Sequence, residues 1–448
     1  MHFLILFNIL WLFLEDFIRN TTQLFHYLCN LNFYANFSPK IPAMTKNLLE
    51  ELEKGNKNSL LKKRIITYYI YNSNSTLTDL AKVLDLSIPT VTKLVEEMTT
   101  KGFLNSYGKL STSGGRHPQL YGLNPDACYF IGVDIRRFSV NIGLINFTGE
   151  LIENSMEIPY NFENTTAGLD RLCELIKNFI DSSSHDREKI INININLSGR
   201  VNPESGYSYS WFNFGEMPLA QVMTEKIGLN VSIDNDTRAM TYGEYLRGGI
   251  SEKKDVLFVN VSWGLGLGII IDGKVYSGKS GFAGEFGHTP AYDNEVICHC
   301  GKKGCLETEA SGNAIYRKLV ERVRNGEKSI LSETIEKNGN ITLEMIIDAI
   351  NKEDVLCIEL IEDLGYQLGK HIAGLMNIFN PEIVIIGGIL SQLEDYLILP
   401  IKSAIKKHSL NLVNRETIIK TSALKEKSGI IGACLLARCR VFDINSYI

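Results

Sequence analysis

The segment Cys298-His299-Cys300-Gly301-Lys302-Lys303-Gly304-Cys305 brings three thiols and an imidazole together within eight residues. A second histidine lies ten residues before Cys298, in the stretch Gly284-Glu285-Phe286-Gly287-His288. Three thiolates and one imidazole complete the tetrahedral shell of a closed zinc site, so the segment predicts structural Zn²⁺ held by Cys298, Cys300, Cys305 and one histidine. The residue types leave both histidines open as the fourth ligand. A disulfide or a set of unrelated buried thiols is the alternative.

The whole chain has 448 residues and a formal net charge of -5. This length exceeds what one hydrophobic core usually covers, so we expect two or three domains. The acidic balance argues against a protein whose entire surface binds nucleic acid, although a local basic face remains compatible with it. Nine cysteines with one metal-like cluster favour a reducing, cytoplasmic location over a disulfide framework.

Residues 1–43 differ in character from the rest, since Phe3 to Leu14 is a nearly unbroken apolar run. Twelve residues are too few to span a bilayer, and neither a basic start nor a signal-peptide cleavage site is evident. We expect either a misassigned start or an extension that touches a membrane or a partner. Met44 opens a leader at 44–58, and no membrane partner is predicted for the protein.

Residues 59–123 have the pattern of three short helices and a hairpin, which is typical of a winged helix-turn-helix. Thr76 with Asp79 forms a capping box for the second helix, and Ser87 is the predicted N-cap of the third. The apolar residues of the third helix are expected to face the core. Its outward residues are therefore predicted to contact base edges in a major groove, and they are Thr90, Thr92 and Lys93.

The predicted hairpin turns at Tyr107-Gly108-Lys109 and ends in a glycine-rich stretch that contains Arg116. Basic residues outnumber acidic ones across this region, although the whole chain is acidic. Contacts of such a face with phosphates supply much of the affinity for DNA. We therefore predict operator DNA as a partner, with Arg116 among its contacts. The alternative is a small helical domain that contacts protein.

From Tyr129 onward, apolar strands alternate with helices, which predicts an α/β protein. Strands are expected at 129–134, 139–145, 190–197, 229–233, 256–261, 267–271 and 383–386. Helices are expected at 168–181, 239–246, 310–324 and 356–378.

With these motifs, the chain after about residue 59 resembles the ROK family (repressors, open reading frames and sugar kinases) in its transcriptional-regulator branch. Gly284–His288 and the segment 298–307 are similar to the family's zinc signature, and Asn235-Asp236 to its Asn-Asp pair. The resemblance implies an N-terminal winged helix-turn-helix followed by a two-lobed actin-like ATPase/sugar-kinase fold. Lobe 1 would cover 126–247 with a C-terminal helix at 428–441, and lobe 2 would cover 248–427 with the zinc segment.

The same resemblance implies roles for single residues. It favours His288 over His299 as the fourth zinc ligand. Sugar binding is implied for Gly199, Asn235, Asp236, Glu285, His288 and Glu307. Asp236 would be the catalytic base if the protein were a kinase, because a carboxylate beside a hydroxyl can take its proton. From the residues alone, the alternative for Asp236 is an N-cap of the helix that follows.

Two glycine-rich turns hold nucleotide phosphates in the family's kinases, and the first reads Asp-x-Gly-Gly-Thr. Here it reads Asp134-Ile135-Arg136-Arg137-Phe138, which lacks the glycines that allow a close approach of phosphate to backbone. The second turn keeps its glycines but has Trp263 in place of threonine. Glycine-rich turns alone are weak evidence for ATP and Mg²⁺. The candidate nucleotide-binding residues are Gly264, Gly266, Gly387 and Gly388.

We therefore predict a sugar-responsive transcriptional regulator of the repressor type. Its effector would be a sugar or sugar phosphate, and a homodimer or homotetramer would bind the operator. The alternative is an active ATP-dependent sugar kinase with a DNA-binding head, and a third option is a zinc-stabilised scaffold that binds neither ligand. The family's additional sugar-contacting Asn is replaced around Trp211-Phe212-Asn213, so the sequence does not identify the sugar.

Overall fold

The structure is a computed structural model that describes Leu52 and residues 55–110, 117–337, 339–442 and 444. The predicted extension at 1–43, much of the leader at 44–58 and the wing residue Arg116 lie outside the described residues. Within the described part, no helix has both the length and the apolar character that a membrane crossing requires.

The first folded unit, which we call the head, combines three helices with a small antiparallel sheet. Its strands, as far as they are described, are ordered β1-β3-β2. The elements are α1 (Lys57–Asn72), β1 (Ser75–Thr76), α2 (Leu77–Leu84), α3 (Ile88–Thr100), β2 (Leu104–Lys109) and β3 (Gln119–Leu123).

Side-chain caps determine where the head's helices begin. Thr76 Oγ1 accepts a hydrogen bond from the Asp79 N–H at 3.2 Å, and Ser87 Oγ accepts one from the Thr90 N–H at 3.4 Å. Asp85, with φ of 54°, ends α2 in the left-handed conformation and turns the chain toward α3. Each such cap typically contributes ~1 kcal/mol. The predicted helix-turn-helix is confirmed.

The hairpin turn predicted at Tyr107–Lys109 is wrong, because these residues belong to β2. The ladder continues beyond them, since the Leu110 N–H donates to Pro118 O at 2.9 Å. Gly108 has φ of +84° and lies at a break in register between Ser106 and Lys109. Glycine adopts this conformation in a β-bulge as readily as in a turn, so Gly108 alone did not distinguish a bulge from a turn.

Lobe 1 is built on a sheet whose described strands follow the order β10-β7-β4-β5-β6. β4 pairs parallel with β7 and antiparallel with β5. The elements are β4 (Tyr129–Ile135), β5 (Ser139–Ile145), β6 (Leu151–Pro159), α4 (Thr166–Ser182), β7 (Ile190–Leu197), β8 (Val201–Asn202), β9 (Tyr207–Ser208), α5 (Leu219–Ile227), β10 (Val231–Asn235) and α6 (Asp236–Arg247).

Lobe 2 has a second sheet, in the described order β13-β12-β11-β14-β15. Its strands are β11 (Val256–Val261), β12 (Leu265–Ile271), β13 (Lys274–Val275), β14 (Ile383–Gly387) and β15 (Ile418–Thr421). Its helices are α7 (Gly312–Arg324), α8 (Ser332–Glu336), α9 (Leu343–Asn351), α10 (Val355–Phe379), α11 (Asp395–His408) and α12 (Asn411–Glu416).

The chain then returns to lobe 1 with α13 (Ser428–Phe442), which packs against β4, β7 and α6. A Cβ at Gly132 would lie 2.3 Å from the Cys434 backbone N, and one at Gly432 would lie 2.0 Å from Ala239 O. Because both residues are glycines and have no Cβ, α13 can approach both β4 and α6 at backbone distance. The helix therefore joins the central strands of lobe 1 to the helix that begins at the cleft.

One hydrophobic core contains residues of the head, of lobe 1 and of one face of the lobe 2 sheet. The rings of Phe103 in the head and Phe147 in lobe 1 lie 6.3 Å apart edge to face, and Phe147 lies 5.2 Å from the Phe442 ring of α13. The Asn124 N–H donates to Phe103 O at 2.9 Å. The head is thus packed onto lobe 1 through buried aromatic contacts.

Candidate functional site

A candidate metal centre lies in the loops that precede α7 in lobe 2. The ligand atoms of His288, Cys298, Cys300 and Cys305 all lie within 4.8 Å of one another. Cys298 Sγ is 3.5 Å from His288 Nδ1, and Cys300 Sγ is 3.6 Å from Cys305 Sγ. Neighbouring donors of a tetrahedral site with Zn–S bonds of about 2.3 Å lie roughly 3.5–3.8 Å apart. The donor set and its spacing fit Zn²⁺.

The disulfide alternative is wrong for this segment, because its three cysteines are free and a sulfur separation of 3.6 Å far exceeds an S–S bond of about 2.05 Å. Two glycines shape the loop around the thiols. Gly301, at φ +86°, donates its N–H to Cys298 O at 2.8 Å. A Cβ at Gly304 would lie 2.1 Å from Tyr292 O. A side chain at Gly304 would therefore clash with backbone.

His299 occupies a different place from His288. Its Nδ1 lies 2.8 Å from Glu307 Oε1, and its side chain is 65% exposed. It forms a second cluster with His288 and Glu307, whereas the three-thiol cluster contains His288. His288 Nε2 in turn lies 3.6 Å from Glu285 Oε2. The geometry thus places His288 between the thiols and the cleft carboxylates.

Glu307 is buried beside the second glycine-rich turn. Its Oε2 accepts a hydrogen bond from the Leu265 N–H at 2.9 Å. Burial acts to raise the pKa of Glu307, but the hydrogen bonds from His299 and Leu265 outweigh it and hold the pKa below its usual value. The carboxylate is therefore a hydrogen-bond acceptor at neutral pH.

Asn235 and Asp236 lie where β10 meets α6. Asn235 is the N-cap of α6, since its Oδ1 accepts from the Arg238 N–H at 3.0 Å, and its Nδ2 donates to Gly199 O at 3.0 Å. The N-cap alternative for Asp236 is therefore wrong, because the cap is the residue before it. Asp236 Oδ1 accepts from the Thr237 N–H at 2.6 Å, which leaves Oδ2 for a ligand.

Asp236 has an unusual protonation equilibrium. Burial raises its pKa to about 7, against the hydrogen bond from the Thr237 N–H, and the nearby Asp134 and Glu285 carboxylates add to the rise. A carboxyl group with this pKa exists in both protonation states near neutral pH. It can therefore accept a hydrogen bond from a hydroxyl or donate one to it.

The first glycine-rich turn of the kinases is filled here by arginine side chains. Arg136 lies 2.6 Å from Glu157 Oε1 and donates to Glu426 O at 2.9 Å. The Arg137 guanidinium lies 4.5 Å from the centroid of the Trp263 ring, so it joins lobe 1 to lobe 2 by a cation–π contact. Arg137 and Trp263, which both depart from the kinase motifs, thus contact each other between the lobes.

The candidate nucleotide-binding glycines are required by the protein's own packing. A Cβ at Gly266 would lie 2.3 Å from Thr237 Oγ1, and one at Gly264 would lie 2.9 Å from Glu307 Oε2. A Cβ at Gly387 would meet the Phe258 ring at 2.2 Å, and Gly388 has φ of +85°. Their presence is therefore explained without a nucleotide.

The predicted recognition residues lie on one side of α3. Thr90 and Lys93 are exposed, and Thr92 is half-buried with its hydroxyl donating to Ile88 O at 2.9 Å. The opposite face of α3 is buried in the head's core, through Val91, Leu94, Val95 and Met98. The described recognition residues are thus available to a ligand outside the head.

Sequence reasoning missed Arg238 beside the site, and it named Trp211 only as part of the segment that replaces the family's sugar-contacting Asn. Arg238 in α6 donates to Gly281 O in lobe 2 at 2.7 Å while its Nε lies 2.6 Å from Asp234 Oδ1 in lobe 1. Trp211 Nε1 lies 3.9 Å from the Cβ position of Gly199. These contacts join segments distant along the chain, so no local spacing marks them.

A protein-family model described as the ROK family matches residues 130–440. The xylose repressor of Caldicellulosiruptor bescii is 31% identical over 377 residues, which cover 83% of this chain and 93% of that protein. The glucokinase of Halalkalibacterium halodurans is 29% identical and covers 69% of this chain and 95% of that protein.

Among solved structures, a ROK family transcriptional regulator described as a homolog of the Escherichia coli MLC protein superposes with a TM-score of 0.70 at 28% identity. It covers 85% of this chain and 97% of that structure. These matches confirm the predicted fold class, a winged helix-turn-helix followed by a two-lobed actin-like sugar-kinase fold.

Proposed function

The chain belongs to the ROK family, and from this premise we propose that it is a sugar-responsive transcriptional repressor of carbohydrate-metabolism genes. The observation that carries the proposal is the extent of each match. The repressor match covers 83% of the chain, whereas the glucokinase match covers 69%. A chain with a DNA-binding head in front of the sugar-kinase fold is expected to match a repressor over more of its length than it matches a kinase.

The proposed DNA partner is an operator read by α3. Thr90, Thr92 and Lys93 would contact base edges and phosphates, with Arg116 added from the wing. Because one chain carries one recognition helix, a two-fold homodimer, or a homotetramer built from such dimers, would bind a palindromic site. The head's contacts with lobe 1 would fix the separation of the two recognition helices.

The proposed effector is a sugar or sugar phosphate bound between the lobes. Asn235 and Asp236 offer amide and carboxyl groups from lobe 1, and Glu285 and Glu307 offer carboxylates from lobe 2. Hydroxyl groups pair with such groups in defined directions, which gives a sugar site its specificity. Gly199 would pass close to the ring, and His288 would lie between the ligand and the metal centre.

His288, Cys298, Cys300 and Cys305 would hold Zn²⁺, and its chemistry there is structural, since four protein ligands close the tetrahedral shell. The two loops that supply these ligands also carry Glu285 and Glu307. A rigid connection between the loops would keep both carboxylates aimed at the same ligand.

The response to sugar would follow from linkage between two sites. A ligand that contacts both lobes favours one relative orientation of them, and the head follows lobe 1 because the Phe103–Phe147–Phe442 contacts join them. The separation of the two heads in a dimer would therefore differ between the free and the sugar-bound protein. By thermodynamic reciprocity, the factor by which bound sugar changes operator affinity equals the factor by which bound operator changes sugar affinity.

An active sugar kinase is the second candidate, and its support is the presence of Asp236, a carboxyl group that could take the proton of a sugar hydroxyl. Against it, Arg136 and Arg137 fill the first phosphate turn with side chains that already have partners. Without that turn, the close backbone approach that positions the transferred phosphoryl group is lost.

The test is the thermal stability of the full chain against a panel of sugars, each with and without Mg-ATP. A ligand that binds only the folded state raises the melting temperature. We expect one sugar to raise it, with no further rise from Mg-ATP and no ADP formed. A further rise with ATP together with ADP formation would identify an enzyme, and no response to any sugar would contradict the sensor.

A further inference from the structure

Four aromatic residues lie beside the proposed sugar site without belonging to it. Tyr209, Trp211 and Phe214 follow the β8–β9 hairpin of lobe 1, and Phe282 precedes Glu285 in lobe 2. We call these four residues the aromatic rim. Tyr209 is 48% exposed, Phe214 49% and Phe282 37%. Several large apolar side chains exposed together are typical of a binding surface.

The aromatic rim is continuous with the sugar site through Gly199. A Cβ at Gly199 would lie 2.5 Å from Ser210 Oγ and 3.9 Å from Trp211 Nε1. The carbonyl of Gly199 accepts the hydrogen bond from Asn235. The half-buried Trp211 side chain therefore places an indole N–H donor beside the proposed sugar site.

The rim also connects the two lobes. The rings of Tyr209 and Phe282 lie 5.6 Å apart with an interplanar angle of 87°. Next to Phe282, Gly281 O accepts the hydrogen bond from Arg238, and a Cβ at Gly281 would lie 2.9 Å from Val201 O. The two aromatic rings therefore meet edge to face between the lobes, and backbone contacts at Gly281 fix the segment that carries Phe282. A ligand that reaches them touches both lobes.

The backbone beneath the rim is strained. Phe212 has φ of 54°, a conformation that a bulky side chain adopts rarely, and its ring is buried. Its N–H donates to Asn164 Oδ1 at 2.7 Å, and the Phe162 ring lies 4.9 Å from that of Trp211. Strain of this kind persists where surrounding contacts enforce it, often at ligand sites. The contacts therefore hold Trp211 in a fixed place.

We propose that the aromatic rim is a second sugar subsite, so that the effector is a disaccharide or another glycoside. This inference rests on the proposed function, because the first ring occupies the site of Asn235 and Asp236. The second ring lies with its C–H face on one of the two perpendicular rings, Tyr209 or Phe282, and against the edge of the other, and the Trp211 indole N–H donates to one of its oxygens. Carbohydrate C–H groups carry partial positive charge, which the face of an aromatic ring attracts.

A protein partner is the other occupant that exposed aromatic residues accept. The sugar is favoured because the rim adjoins hydrogen-bonding groups suited to hydroxyls, and because the Tyr209 and Phe282 rings come from opposite lobes. A second sugar ring at this place would add contacts with both lobes. It would therefore strengthen the linkage on which the proposed regulation depends.

The test is isothermal titration of the full-length chain with three pairs of ligands. The pairs are xylose and xylobiose, glucose and cellobiose, and N-acetylglucosamine and diacetylchitobiose. For the pair that binds, we expect the disaccharide to have a dissociation constant about tenfold lower than the monosaccharide. Tyr209→Ala and Phe282→Ala should abolish this difference and leave monosaccharide binding unchanged.

Tyr276→Ala is the matched control, because Tyr276 is an exposed aromatic residue of lobe 2 that lies six residues from Phe282. It should keep the preference for the disaccharide. A monosaccharide that binds as tightly as its disaccharide, or a preference that survives Tyr209→Ala and Phe282→Ala, would overturn the second subsite alone. Absence of binding by all six sugars would contradict the sugar sensor and the subsite together. Binding of a protein at the rim in place of any disaccharide would also overturn it.

Discussion

Single residues connect the candidate metal centre to the candidate sugar site. Glu285 precedes His288 by three residues, and their side chains approach to 3.6 Å. Glu307 follows Cys305 by two residues and is buried. Loss of the metal would therefore loosen two carboxylates that the sugar requires. Zinc content and sugar affinity are expected to change together.

His288→Ala should lose bound zinc and weaken sugar binding at least tenfold, because removal of a ligand opens the metal shell. Cys300→Ser should behave in the same way. His299→Ala is the control, since His299 lies outside the three-thiol cluster, and it should retain one zinc per chain. Metal content by atomic absorption and sugar affinity by titration measure both effects. Full zinc retention by His288→Ala would make His299 the better candidate.

Asp236 should make stability depend on pH. Its pKa is raised from an ordinary 3.8 to about 7, mainly by burial, so the folded protein holds this proton more tightly than the unfolded chain does. Its contribution therefore stabilises the fold at low pH and is lost as the pH rises from about 4 to 7. The melting temperature of Asp236→Asn, relative to the original protein, should rise across this window and level off above it.

Asp348→Asn, which changes an exposed carboxyl of α9, is the control and should show no such trend. Melting curves at half-unit pH intervals between 4 and 8 measure the difference. A constant gap between Asp236→Asn and the original protein would show that Asp236 has the same pKa folded and unfolded.

The sequence predicted the cluster of His288, Cys298, Cys300 and Cys305 well because its residues lie close together along the chain. The cleft was harder to predict. The family resemblance singled out Asp236, but only the structure shows that Asn235 is the helix cap and that Asp236 keeps an oxygen for a ligand. The Arg137–Trp263 and Tyr209–Phe282 contacts join residues far apart in sequence. No periodicity or local motif encodes such pairs.

Elements were predicted most accurately where both faces are buried. β7 (Ile190–Leu197) and β11 (Val256–Val261) have the predicted bounds, because β11 is a nearly continuous apolar run and β7 alternates isoleucine with asparagine at the period of a strand. α10 extends one residue beyond the prediction at each end. β6 was not predicted, since its alternating exposed residues give a weaker signal, and the bulge at Gly108 was taken for a turn.

Among the elements, α3 carries the proposed contact with DNA. Lys93→Ala should weaken operator binding and lower the salt dependence of log K by about 0.9, the value for one phosphate contact. Lys337→Ala, which removes an exposed lysine from lobe 2, is the matched control and should change neither quantity. Fluorescence anisotropy at several salt concentrations measures both. An unchanged salt slope for Lys93→Ala would place the DNA contact elsewhere.

For the whole molecule, two lobe-to-lobe contacts flank the cleft. Arg137 stacks on Trp263 on the side of the former phosphate turn, and Arg238 donates to Gly281 O on the side of the aromatic rim. The proposed sugar groups lie between them and come from both lobes. In the proposed mechanism a sugar would shift the balance between lobe orientations, and the Phe103–Phe147–Phe442 contacts would carry the head with lobe 1.

Phe147→Leu tests this connection, because it removes an aromatic contact between the head and lobe 1 at nearly constant volume. The factor by which sugar weakens operator binding should fall several-fold, while the separate affinities for sugar and DNA change little. Phe179→Leu, a similar change inside lobe 1, is the control. An unchanged factor in Phe147→Leu would mean that coupling takes another route.

The most direct measurement is the affinity of the full-length chain for an operator selected from random duplexes, with and without each sugar and with and without Mg-ATP. We expect one sugar to weaken operator binding by about 5- to 150-fold, the usual range of allosteric coupling. Mg-ATP should have no effect, and no ADP should form. Operator binding that no sugar changes, or ADP formed in the presence of sugar, would contradict the account.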